Sequence, residues 1–96
     1  MDIKIIKSPT MGTISMLNRR MAGDILKEFP LKYDTIGLIQ GKLIDMVVAA
    51  DIAEKAADVY IEEIRGLCPQ HFVLLAVFGD TSSVEAALKA IKEESS

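Results

Sequence analysis

The chain has 96 residues, 50% of them apolar, a formal net charge of −3, one cysteine and one histidine. Its length fits one small domain; a single cysteine excludes an intrachain disulfide framework, and Lys and Arg are too scattered to form the basic stripe of a nucleic-acid binder. The longest unbroken apolar run, Phe72–Phe78, is far short of the roughly 20 residues that cross a membrane, so no membrane partner is expected either.

In chain order, DIKIIK at 2–7 predicts a short strand that Ser8-Pro9 stops. Residues 10–28 carry Ile14, Leu17, Met21 and Ile25 at helical spacing, which predicts a helix that Gly23 ends or breaks. Pro30 opens a linker. YDTIGLIQ at 33–40 reads as a strand, and Gly41 turns the chain into a helix over 42–57. That helix sets Ile44, Val47, Val48 and Ile52 beside a series of alanines, which suits close packing on a sheet. DVYIEEIR at 58–65 is the next strand. HFVLLAVFG at 71–79 is nearly continuous in apolar residues, as a central strand is. Gly79-Asp80 ends it, and Ser82-x-x-Glu85 has the spacing of a capping box that opens a last helix with Val84, Ala87, Leu88 and Ile91 on its buried face. KEESS is a solvated tail.

The order β-α-β-α-β-β-α places the chain in the α/β class, in the α+β, ferredoxin-like sense, as a single domain over 1–96 with a four-stranded antiparallel sheet. From residue 33 onward the pattern lacks only a final strand. Residues 2–7 supply it from the front, as a circular permutation would. Mean hydropathy is +0.28, high for a domain that buries only about two-thirds of its unfolded surface. Part of the surface is therefore expected to be covered by copies of the chain or by a partner. The opening MDIKIIKSPT has neither a long apolar segment nor a cleavage signal, so a cytosolic protein with a reduced thiol is expected.

GLCPQH, 66–71, falls in the turn between the strands at 58–65 and 71–79 and holds both Cys68 and His71. Pro69 stiffens the turn beside the thiol. The ordinary reading is a small apolar Cys and a solvated His. A second is a dyad with Cys68 as nucleophile and His71 as base, against which stand the absence of another histidine and of a Gly-rich phosphate loop or an oxyanion turn around Cys68. A third is metal binding. A closed zinc site or an iron–sulfur cluster takes about four ligands and one chain offers two, a deficit that disappears if several chains bring the same loop to one axis. A ligand-sensing ring of another ferredoxin-like family is a further alternative.

Residues 36–92 resemble the bacterial microcompartment shell-protein (BMC) domain. IGLIQGKLIDMVVAADIAEKAADV is similar to that family's first strand and helix, with Ala49-Ala50-Asp51 and Lys55-Ala56-Ala57-Asp58-Val59 carrying the likeness, and FVLLAVFGDTSSVEAALKA is similar to its strand, GD turn and following helix. IKIIKSP looks like the domain's last strand moved to the front. The enlarged turn GLCPQH resembles that of the divergent shell proteins of glycyl-radical propanediol microcompartments, the GrpU type.

The resemblance implies a structural and non-enzymatic shell component of a microcompartment in the cytoplasm. It implies a cyclic homohexamer that assembles with other shell proteins and has the hairpin turn lining a central pore. It implies Cys68 as ligand of an iron–sulfur cluster, a 4Fe-4S cubane, shared by several subunits, with His71 as a weaker candidate. Gly66, Leu67, Pro69 and Gln70 would shape the loop, and Lys55 would lie at the edge between hexamers. The family's Pro-Arg-Pro-His turn is replaced here by Lys7-Ser8-Pro9-Thr10, without the edge arginine. A redox centre in the pore would pass electrons across the shell, plug the pore or sense oxygen, and the sequence leaves these three open.

Overall fold

The structure, a computed structural model, describes residues 1–66 and 72–94. Four strands, β1 (Asp2–Lys7), β2 (Thr35–Lys42), β3 (Tyr60–Ile64) and β4 (Phe72–Gly79), form one antiparallel sheet in the order β1-β2-β4-β3. Helices α1 (Met11–Asn18), α2 (Leu43–Ala56) and α3 (Thr81–Glu94) and a 3-10 turn at Leu26–Glu28 complete it. β4 is central, as its unbroken apolar run predicts, and Leu75–Gly79 are all buried.

The topology is the permuted ferredoxin-like one. β2 and β3 flank β4, each antiparallel to it, so they run parallel to one another with α2 as the crossover. β4 ends with Gly79 opposite Thr35, and α3 follows it. β1 begins with Asp2 opposite Gln40, at the other end of β2. An unpermuted chain would run from α3 straight into that strand.

Strand alternation sends side chains to two cores. On one face Ile39, Leu75 and Val77 pack with Met46, Ala49 and Ala53 of α2 and Val84, Ala87, Leu88 and Ile91 of α3. Gly37 lets α3 approach this closely, because a Cβ there would lie 3.1 Å from both Leu88 and Val84 side chains. On the other face Ile36, Ala76, Phe78 and Ile64 are covered by Ile14, Leu17, Met21, Ile25 and Phe29 of the segment between β1 and β2. Phe78 is fully buried, with Tyr33 and Tyr60 stacked against it at 6.1 and 6.0 Å.

Three expectations are corrected. The helix drawn over 10–28 stops at Asn18. The Asn18 Oδ1 accepts the Ile25 N–H at 2.8 Å and folds the chain back on itself, so Met21 and Ile25 reach the core from an irregular segment whose spacing only resembles a helix. α3 is not opened by a capping box at Ser82, which lies inside its first turn; Asp80 Oδ1 accepts the Ser83 N–H at 2.8 Å and is the cap. Lastly, α2 meets the sheet through Met46, Ala49 and Ala53, not through Ile44, Val47 and Val48, which are exposed. The small residues at 49 and 53 let the helix lie close, and they fix its rotation so that the bulkier stripe faces away.

Candidate functional site at the hairpin end of the sheet

β3 and β4 end their ladder at the pair Ile64–Leu74. Arg65 and Gly66 form the outgoing stem of the hairpin. Leu67, Cys68, Pro69, Gln70 and His71 lie outside the described residues.

The stem is gripped from the side. The Arg65 N–H donates to the Arg20 carbonyl at 2.8 Å, and Arg65 Nη2 donates to the Met21 carbonyl at 3.1 Å. The Arg20 guanidinium lies beside Gly66, where a Cβ would stand 3.4 Å from Nη1. Two guanidinium groups thus sit at the base of the loop that carries Cys68.

Three residues before Arg65, on β3, Glu62 binds the same segment. The Gly23 N–H donates to both carboxylate oxygens, at 3.1 and 3.0 Å, and the Tyr60 hydroxyl donates to Oε1. Partial burial pushes the Glu62 carboxyl up, but hydrogen bonds from Tyr60, Gly23 and Ala22 and the charge of Arg65 outweigh it and hold the pKa below the usual carboxylate value. The same Glu62 bond, followed by desolvation, raises Tyr60 to about 12. Gly23 reads in the sequence as a helix breaker. Its structural role is to admit the carboxylate, since a Cβ would fall 2.7 Å from Glu62 Oε1. Nothing in the sequence pattern pairs residues 23 and 62, which are 39 apart along the chain.

Apolar surface gathers at this end. α2 starts directly after Lys42, which pairs with Phe72 at the far side of the hairpin. On its first turns Ile44 and Val47 are 73% and 63% exposed, with Leu43, Val48 and Phe72 exposed beside them.

Lys55 stands apart from the site. It sits in the last turn of α2, about 18 Å from the helix start at the rise of an α-helix. Its side chain pairs with Asp51 at 2.6 Å, and that hydrogen bond raises its pKa.

The donor set limits what the site can hold. Among the described residues, no group of three or more His, Cys, Asp or Glu is placed to bind a metal ion. The whole chain has one thiol and one imidazole. One copy therefore cannot ligate an iron–sulfur cluster, whereas several copies sharing an axis have the thiols for it. No helix among the described residues is long and apolar enough to cross a membrane.

A family model of the BMC domain matches residues 35–96. Among solved structures, the chain is 50% identical to the ligand-free GrpU microcompartment shell protein from Clostridiales bacterium 1_7_47FAA, with 96% of this chain and 88% of that one covered and a TM-score of 0.71. It is 36% identical to the ligand-free GrpU shell protein from Pectobacterium wasabiae, covering 95% and 99% with a TM-score of 0.73. The fused permuted hexameric shell protein of the RMM microcompartment shares the fold at 22% identity and a TM-score of 0.71, over 96% of this chain and 43% of that one. A comparison with curated proteins gives no match.

Proposed function

This chain belongs to the BMC-domain family of microcompartment shell proteins, and on that premise we propose that it forms a cyclic homohexamer whose hairpin loops meet on the axis, where Cys68 thiolates from several subunits hold one iron–sulfur cluster. As a family member it is a structural component of a microcompartment shell in the cytoplasm and not an enzyme.

The observation that carries the proposal is the coincidence of exposed apolar surface with the hairpin end. Phe72 opens the returning strand of the hairpin, and Leu43, Ile44, Val47 and Val48 lie on the first turns of the helix that follows its partner Lys42, all of them exposed. Apolar surface in water costs about 25 cal/mol per Å², so association around that end is favoured. Patches repeated head to tail close into a ring when the rotation permits. A copy number of six is supported by the description of the permuted structural relative as hexameric.

The donor count then follows from symmetry. One thiol per chain becomes six per ring, more than a four-iron cluster takes, so three or four cysteines would serve and His71 or solvent could complete the set. Arg20 and Arg65, at the base of each loop, bring positive charge toward a group of thiolates that would otherwise repel one another. When bound, the cluster supplies one-electron transfer, and its place on the axis would carry electrons across the shell.

The test is purification under strict anaerobiosis, with native mass spectrometry and a visible spectrum of the same sample. A coloured ring of six chains is expected. A monomer or dimer at micromolar concentration refutes the ring, and a colourless ring refutes the cluster.

A further inference from the structure

The segment between α1 and the 3-10 turn takes no place in the sheet, yet it touches edge strand β3 repeatedly. Gly23 is held by both oxygens of Glu62, and Arg20 and Met21 together hold Arg65. All these bonds fall within Arg20–Gly23 on one side and Glu62–Arg65 on the other.

Their positions differ in strength and in what they secure. Arg65 lies one residue beyond the last ladder pair of β3, at the edge of the sheet, where backbone frays first. Its backbone N–H makes a neutral bond to the Arg20 carbonyl, and its guanidinium makes a charge-assisted one to the Met21 carbonyl. Glu62 lies within the strand, and its bonds are charge-assisted, which makes them roughly twice as strong as neutral ones. The fit is also tight, since a Cβ at position 23 would lie 2.7 Å from Glu62 Oε1 and 2.8 Å from the Tyr60 hydroxyl and would push both away from their present positions. The carboxylate contact is thus set within the strand, and the Arg65 contacts extend from it to where the strand ends.

We propose that Glu62 is a positioning residue for the hairpin stem. Its carboxylate locks the Arg20–Gly23 segment against β3, and that segment holds Arg65, three residues before Cys68 in the chain. The inference rests on reading that loop as the axial site of the ring. A thiol that must share a cluster with thiols of other subunits needs a stem held to a fraction of an ångström, because looseness in each copy would be multiplied around the axis.

The test uses the assembled, full-length protein and Glu62→Gln, which keeps the side chain's size and removes its charge. Amide hydrogen exchange is followed at Gly23 and Arg65, with Ile39 in the sheet interior as reference. The alkylation rate of Cys68 is measured in the metal-free ring, and the decay of visible absorbance in the iron-loaded ring. Exchange about tenfold faster at both Gly23 and Arg65, with Ile39 unchanged, is expected from the loss of a charge-assisted bond. Alkylation and iron loss should quicken with it. Arg65 exchanging at the wild-type rate while Gly23 opens would overturn the proposal, and so would a uniform acceleration that includes Ile39. A wild-type ring without iron removes the axial cluster, and the Arg65 exchange and Cys68 alkylation rates then still decide whether Glu62 holds the stem.

Discussion

Lys55 Nζ lies 2.6 Å from Asp51 Oδ2, one turn back along α2, with both side chains in solvent. An exposed i,i+4 pair of this kind adds little to folding. Lys55 is remote from the hairpin and from the apolar stripe of α2's first turns, so its use is expected at a contact outside the ring. Lys55→Ala should leave the melting temperature and the six-chain mass unchanged while reducing the sheets formed by assembled rings in electron micrographs. Loss of the ring itself would place Lys55 at the wrong interface.

Replacing Ile44 and Val47 together by Lys sets two charges on the surface proposed to close the ring, without touching Met46, Ala49 or Ala53, which hold the helix to the sheet. Native mass spectrometry should then find monomers with the far-UV circular dichroism of the folded chain. Rings that persist would move the interface elsewhere on the molecule.

The pH dependence of stability should carry the mark of the Glu62–Tyr60 pair. The Glu62 carboxyl has a folded pKa below its ordinary value of 4.5, so its contribution is complete above that value and disappears as pH falls through the lower, folded one. Tyr60 behaves oppositely. Its pKa rises from 10.0 to about 12, so its contribution is complete below pH 10 and fades as pH rises toward 12. Urea unfolding as a function of pH should show both declines in the wild type and a weaker acid decline in Glu62→Gln. Superimposable acid limbs would mean that the carboxylate contributes nothing to folding.

Asp80→Ala should cost about 1 kcal/mol, the usual value of an N-cap side chain, because Asp80 Oδ1 accepts the Ser83 N–H at 2.8 Å. Ser82→Ala, inside the helix, should be close to neutral. Urea midpoints decide between the two, and a larger loss at Ser82 would reinstate it as the cap.

What was legible follows from what is local. Short runs rich in apolar residues identify β1, β2 and β3, and the near-continuous run of β4 places it at the sheet's centre. The element order contains the permutation. Registry of helices against the sheet was not legible in α2, because the alanines that pack and the larger side chains that do not are both apolar, and only the tertiary fit chooses between them. The helical spacing holds for Ile14 and Leu17 in α1 and misleads beyond Asn18, because a chain folded back over the core buries Met21 and Ile25 at helical intervals without being helical. At the site, Cys68 and its turn stand out as rare residues in sequence, whereas the bonds from Gly23 and Arg20 to Glu62 and Arg65 join positions about 40 apart and have no sequence signature.

Counting iron and acid-labile sulfide per chain in anaerobically purified rings, wild type beside Cys68→Ser, separates one cluster shared on the axis from a site in every subunit. A shared axial cubane predicts about four irons and four sulfides for six chains, well below one iron per chain, and an intact, colourless hexamer for Cys68→Ser. One metal ion per chain, or visible absorbance retained in Cys68→Ser, would contradict it.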